Sequence, residues 1–122
     1  MTLIHFLKSF FFKFGQNDST SKKVFDHYFF DSKYYLHPTA SIEDFSSLLN
    51  ISPDELDHIS KVFYNCLFKT LLNEYRYTYF LNELKNPINS NLPMDSIIKL
   101  SGYDDKNNFL EVVKNKSNSP NI

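Results

Sequence analysis

The chain has 122 residues, of which 42% are hydrophobic, 17% aromatic and 22% charged, and its formal net charge is −1. This length suits one compact domain or two very small helical units that share a core. The average hydrophobic content excludes wholesale disorder, and the near-neutral charge lacks the basic excess typical of nucleic-acid binders. The presence of only 2 glycines disfavours a turn-rich all-β fold and leaves no glycine-rich phosphate loop.

The N-terminal stretch is strongly apolar. Leu3, Leu7, Phe10 and Phe14 fall at helical spacing, which predicts an apolar helix over residues 3–14, followed by a polar linker up to residue 21. Packing on the domain or on a partner chain is favoured over contact with a membrane surface, because two lysines attract anionic lipid weakly; disorder is the third alternative. The stretch suits neither a spanning helix nor a signal peptide, so we expect a cytoplasmic protein.

The next segments predict short helices with distinct start signals. A helix is expected over about residues 22–30, and an extended piece at 34–37, because Pro38 disfavours helical geometry before it. Ser41, with acids in the following turn, is a typical helix cap. Asn50 suits a left-handed turn, and Ser52-Pro53 opens the next helix.

The second half of the chain predicts three more helices. A long helix should cover residues 68–85 and stop at Asn86-Pro87; another begins near Pro93 and ends at Gly102, and the last opens at Asp104-Asp105. Helical spacing predicts these inward positions in the last four helices: Leu56, Ile59, Val62, Phe63; Leu71, Leu72, Tyr75, Tyr79, Phe80, Leu84; Met94, Ile97, Ile98, Leu100; Phe109, Val112, Val113.

Two parts of the chain share one layout, a short helix, a tight turn and a second helix. In each, asparagine or glycine takes the turn and a polar cap starts the second helix, as a helix-turn-helix requires. With this layout the sequence resembles the DNA-binding domain of the AraC/XylS family of bacterial transcription regulators, over about residues 37–120. The resemblance is carried by Leu49-Asn50-Ile51-Ser52-Pro53 with Leu56, by Phe68, Leu71-Leu72-Asn73-Glu74-Tyr75-Arg76, and by Ile97, Gly102-Tyr103-Asp104 and Phe109. Tyr34-Tyr35-Leu36-His37-Pro38 and Asp105-Lys106-Asn107-Asn108-Phe109 are similar to a variant seen in Bacteroidetes-type members.

The resemblance implies an all-α, homeodomain-like double helix-turn-helix bundle joined by a long linker helix, with an extra N-terminal apolar helix. Residues 22–122 would form the AraC-like domain, and residues 1–21 the apolar helix and linker. Within the domain, the expected parts are a first helix-turn-helix at about 41–64, a linker helix at about 68–85 and a second helix-turn-helix at about 93–116. Arg76 stands at a position that the family uses for internal structure, and Glu74 or another nearby carboxylate is its expected partner.

The charge pattern favours the second unit as the DNA reader. From Tyr34 onward, eight basic residues face eleven acids, and three of those acids (Asp54, Glu55 and Asp57) begin the first recognition helix, where they oppose a polyanion. Asparagine reads adenine, and lysine holds phosphate. The predicted DNA contacts are Lys106, Asn107, Asn108 and His58 nearest the base edges, and Lys99, Lys114 and Lys116 on the backbone.

The sequence gives little support for metal binding or catalysis. The histidines (His5, His27, His37 and His58) lack metal-ligand spacing, and no nucleophile elbow, HExxH motif or P-loop occurs. Cys66 has no obvious base beside it, which favours a buried structural thiol. We therefore expect no enzyme, no cofactor and no metal.

Two functional hypotheses follow. The first is a sequence-specific transcription regulator that binds double-stranded DNA mainly through the second helix-turn-helix. The second is a degenerate helix-turn-helix protein that acts without DNA, as a protein-interaction module or anti-regulator. In the second hypothesis, residues 3–14 pair with another copy or with a related regulator.

Overall fold

The computed structural model describes residues 18–117, and every regular element in that range is helical, which confirms the all-α prediction. The six α-helices in chain order are α1 (Asp18–Asp26), α2 (Ile42–Leu49), α3 (Pro53–Tyr64), α4 (Phe68–Lys85), α5 (Met94–Leu100) and α6 (Lys106–Ser117). A π-helical turn covers His27–Asp31, and 3₁₀ turns cover Tyr34–Leu36 and Pro87–Asn89. The apolar helix predicted over residues 3–14 lies outside the described residues.

The helix predicted from residue 22 begins earlier, at Asp18, inside the segment that was expected to be a linker. Ser21, Phe25 and Phe29 are buried at four-residue spacing, so one face of α1 and of the π-helical turn after it packs on the core. Lys22 Nζ lies 2.7 Å from an Asp26 carboxylate oxygen, and Asp26 also accepts a hydrogen bond from the Tyr64 hydroxyl of α3. Residues 18–21 of the expected polar linker are therefore part of α1.

The extended piece predicted at residues 34–37 is wrong for its first three residues. Lys33 is left-handed, with φ 53°, and a 3₁₀ turn follows at Tyr34–Leu36. The buried Tyr34 hydroxyl donates to an Asp44 carboxylate oxygen at 2.7 Å and accepts from the Ser41 N–H at 3.1 Å. Only His37, directly before Pro38, has extended geometry, with φ −75° and ψ 130°.

The first helix pair, α2 and α3, has the local signals that the sequence predicts. The Ser41 hydroxyl accepts from the Asp44 N–H at 3.0 Å, and Asn50 is left-handed with φ 59°. Ser52 and Glu55 form a reciprocal capping box at the start of α3. Two orphan N–H groups of α3 are thereby satisfied, and the turn between the helices is fixed by side chains next to it in sequence.

The hydrophobic core divides into two clusters, and α4 contributes to both. The first cluster is built on aromatic rings, including Phe45 and Phe68, which stack with centroids 5.2 Å apart. The second consists of Phe80, Ile97, Ile98, Tyr103 and Phe109. Helix α4 is therefore the shared element between the α2–α3 pair and the α5–α6 pair.

Several positions predicted to face inward are exposed. Among the predicted core residues, Ile59, Leu71, Leu72, Phe80, Ile97 and Phe109 are buried, whereas Val62, Tyr75, Leu84, Met94 and Leu100 are exposed. Helices α4 and α5 carry apolar residues on more than one face, so periodicity alone does not select the face that meets a neighbour. Tyr75 is still 37% exposed although its ring packs against Phe30 and Tyr35, with centroids 4.9 and 5.6 Å away.

The turn of the second pair depends on Gly102, which has φ +95°. A Cβ atom at this position would lie 2.5 Å from the Tyr35 carbonyl oxygen and 2.9 Å from Arg76 Nε. The glycine is therefore needed both for its backbone conformation and for the close approach of the second turn to the chain before α2.

Candidate nucleic-acid interface

Arg76 fixes the second helix pair against the first, and it does so without a carboxylate. Its guanidinium donates from Nε to the Tyr35 carbonyl and from Nη2 to the His37 carbonyl, both at 2.7 Å. The Tyr103 ring lies 5.8 Å from the guanidinium carbon. Burial lowers the pKa of Arg76 from its ordinary value. The expectation of an ion pair with Glu74 is wrong, because Glu74 pairs with Lys116 instead.

The first turn of α6 is built by the two acids that precede it. The Asp105 carboxylate accepts from the Asn108 N–H at 2.9 Å, which is the bond expected of a helix cap. Asn108 also donates from its side-chain amide to an Asp104 carboxylate oxygen at 2.5 Å. The predicted base-reading amide of Asn108 is thus engaged within the protein.

One face of α6 is open to solvent. Lys106, Asn107, Leu110 and Lys114 are all exposed, and residues 107, 110 and 114 share a side of the helix because they are three and four positions apart. Lys106 Nζ lies 3.5 Å from an Asp95 carboxylate oxygen, but both side chains remain more than half exposed. Of the predicted contacts on α6, Asn107 and Lys114 are the best placed to meet a partner molecule.

Lys116 is turned toward the protein. Its Nζ lies 2.7 Å from a Glu74 carboxylate oxygen and 4.9 Å from the centroid of the Tyr77 ring. This pair ties the last turn of α6 to α4. A phosphate would have to compete with Glu74 for the Lys116 ammonium group.

The remaining two predicted contacts lie on other helices. Lys99 is exposed near the end of α5, and His58 is exposed on α3. The structure therefore places five of the seven predicted contacts on α6, whereas Lys99 lies on α5 and His58 on α3.

Two of the three carboxylates at the start of α3 have structural partners. Glu55 belongs to the capping box, and the Asp57 carboxylate accepts from the Phe68 N–H at 2.9 Å. Asp57 thus caps α4, a helix whose own N-cap residue, Leu67, has no capping side chain. No local sequence signal predicts this role, because donor and acceptor lie 11 residues apart. Asp54 remains exposed at the start of α3.

Cys66 is partly buried, between the end of α3 and the start of α4. Burial raises the pKa of its thiol above the ordinary value, which disfavours the reactive thiolate. Within residues 18–117, no cluster of three or more His, Cys, Asp or Glu side chains is arranged to hold a metal ion. None of the helices in the same range has the length and apolar character needed to cross a membrane.

No protein-family model, curated protein or solved structure matches this chain.

Proposed function

We propose that the protein is a sequence-specific, AraC-like transcription regulator that binds double-stranded DNA mainly through the α5–α6 pair. The observation that carries this proposal is the open face of α6, which exposes Asn107 and Lys114. This helix follows the turn at Gly102 and is capped by Asp105. In a helix-turn-helix the second helix enters the major groove with its first residues at the base edges. The proposal includes no catalytic role. It includes a cytoplasmic location, where a bacterial regulator meets its DNA.

Each exposed side chain then has a defined role. Asn107, in the first turn of α6, is the base reader, because a side-chain amide matches the donor and acceptor pair of adenine. Lys114 on α6 and Lys99 on α5 hold phosphates, which position the helix without reading sequence. The bonds from Lys116 to Glu74 and from Asn108 to Asp104 reduce what these two side chains offer to DNA.

The acidic start of α3 is consistent with a minor role for the first pair. Glu55 and Asp57 both cap helices, so their presence in α3 is explained by the fold without a role in DNA binding. They nevertheless leave negative charge where a recognition helix would meet phosphate. We therefore expect weak affinity that falls steeply with salt concentration.

The test is binding of the full chain to a pool of random-sequence duplexes, followed by selection and fluorescence anisotropy at several salt concentrations. Lys114→Gln should weaken binding to all sequences and reduce the salt slope by about 1. Asn107→Ala should cost about 1–3 kcal/mol on selected sites and relax specificity at one position. The matched control is Lys61→Gln, an exposed lysine on α3, which should change little. No retention at low salt, or equal effects of Lys114→Gln and Lys61→Gln, would refute the proposal.

The second candidate function is a protein-interaction module that does not bind DNA. The described residues favour it in one respect, because residues 18–117 carry 11 basic and 14 acidic side chains. The open face of α6 also exposes Leu110, an apolar side chain that suits a protein surface better than DNA phosphate.

In this alternative, residues 3–14 pair with a second copy or with a related regulator. Sedimentation of the full chain and of a variant lacking residues 1–14 tests this directly. A mass that falls on truncation supports the alternative, whereas an unchanged monomer removes the support for self-pairing.

A further inference from the structure

A cleft of about 370 Å³ lies between α2, α4 and α6. Helix α4 lines it with Lys69, Asn73 and Arg76, which lie on one side of the helix because they are three and four positions apart. The start of α2 contributes Glu43, and α6 contributes Glu111. The cleft is therefore bordered by both helix pairs and by the helix between them.

The cleft presents both signs of charge from different directions. The two cations, Lys69 and Arg76, come from α4, and the two carboxylates, Glu43 and Glu111, come from the helices beside it. Among the residues that the structure describes, none of these four side chains forms an ion pair. Two of the roughly five N–H donors of the Arg76 guanidinium bind carbonyls, so the others remain for a ligand.

Tyr103 also lines the cleft and carries an unsatisfied group. Its side chain is 2% exposed, and its hydroxyl has no hydrogen-bond partner within the described part of the chain. Buried polar groups are nearly always paired, so an unpaired hydroxyl beside a polar cleft points to a partner supplied from outside. The amides of Asn73, Asn108 and Asn115 line the same space and add donors and acceptors.

We propose that this cleft binds a small zwitterion of the free amino acid type. Its carboxylate lies against Lys69, Arg76 and the Tyr103 hydroxyl, and its ammonium group lies between Glu43 and Glu111. A ligand with only one charge would leave one pair of protein charges unmatched. Binding in the cleft does not depend on the proposed DNA binding and is measured without DNA.

The experiment is an NMR titration of the ¹⁵N-labelled full chain with each of the common L-amino acids. At least one should shift the amide signals of residues that line the cleft, such as Asn73 and Glu111. Its N-acetylated and decarboxylated analogues, which each lack one of the two backbone charges, should bind at least about tenfold more weakly, since a charge-assisted hydrogen bond contributes roughly that factor.

Three variants locate the site. Lys69→Met and Glu111→Gln should each weaken binding about tenfold, and Tyr103→Phe should weaken it several-fold. The matched controls are Lys61→Met, on α3, and Tyr77→Phe, which packs against the same core cluster as Tyr103 but lies outside the cleft; both should leave the affinity unchanged.

Three results would overturn the proposal. One is the absence of cleft shifts with every amino acid at millimolar concentration. Another is an N-acetylated analogue that binds as tightly as the parent, which would make the site an anion site. The third is an affinity that Lys69→Met and Glu111→Gln both leave unchanged, which would place the ligand elsewhere.

Discussion

Replacement of Gly102 by alanine tests how the two helix pairs are joined. The new Cβ atom would lie 2.5 Å from the Tyr35 carbonyl oxygen, which accepts the Nε–H bond of Arg76. The left-handed backbone adds about 1–2 kcal/mol for a non-glycine residue, and loss of a hydrogen bond to a charged group adds about 1.5–3 kcal/mol. We expect Gly102→Ala to lower the free energy of unfolding by about 3 kcal/mol or more.

Urea denaturation followed by circular dichroism measures this loss. Lys33→Gly is the reverse control, because Lys33 has φ 53° and glycine relieves rather than creates strain there, so its effect should stay within about 1 kcal/mol. Gly102→Ala and Arg76→Met act on the same contact, so the double variant should lose less than the two single losses combined. A loss below about 1 kcal/mol for Gly102→Ala would mean that neither the left-handed backbone nor the contact with the Tyr35 carbonyl constrains this position, because the backbone strain alone should cost about that much.

Two further predictions concern single side-chain contacts. Asp57→Ala removes the cap of α4 and should cost about 1 kcal/mol in the free energy of unfolding, whereas Asp57→Asn keeps an accepting oxygen and should cost less; equal losses would contradict a capping role. Burial raises the pKa of Tyr103 from 10.0 to about 12, so the stability linked to its protonated form is complete below pH 10 and falls as the pH rises toward 12. In urea denaturation, the free energy of unfolding of Tyr103→Phe should fall by about 2 kcal/mol less across this pH range than that of the wild type. An equal fall in both proteins would contradict the raised pKa of Tyr103.

The sequence predicted those features whose cause lies within one turn of the chain. Ser41, Asn50 and Ser52 act on N–H and carbonyl groups a few residues away, so their roles follow from spacing alone. The predicted end of the long helix, at Lys85, agrees with the structure for the same reason, because Asn86-Pro87 follows it.

Features that depend on distant partners were missed. Arg76 binds carbonyls 41 and 39 residues away, and nothing in its neighbourhood distinguishes a carbonyl partner from the expected carboxylate. The predicted DNA contacts rest on residue type and on position in the sequence. Their intramolecular bonds, such as that of Lys116 with Glu74 across 42 residues, exist only once the chain is folded.

The contact between Arg76 and the Tyr35 and His37 carbonyls has a formal charge only on the guanidinium. Ions in solution weaken attraction between opposite charges much more than they weaken a buried guanidinium bonded to neutral peptide oxygens. Added electrolyte should therefore loosen any hold on a nucleic acid while the two halves of the molecule stay in register. A change in ionic strength should therefore alter the DNA affinity of this protein without altering the contacts that hold its helices together.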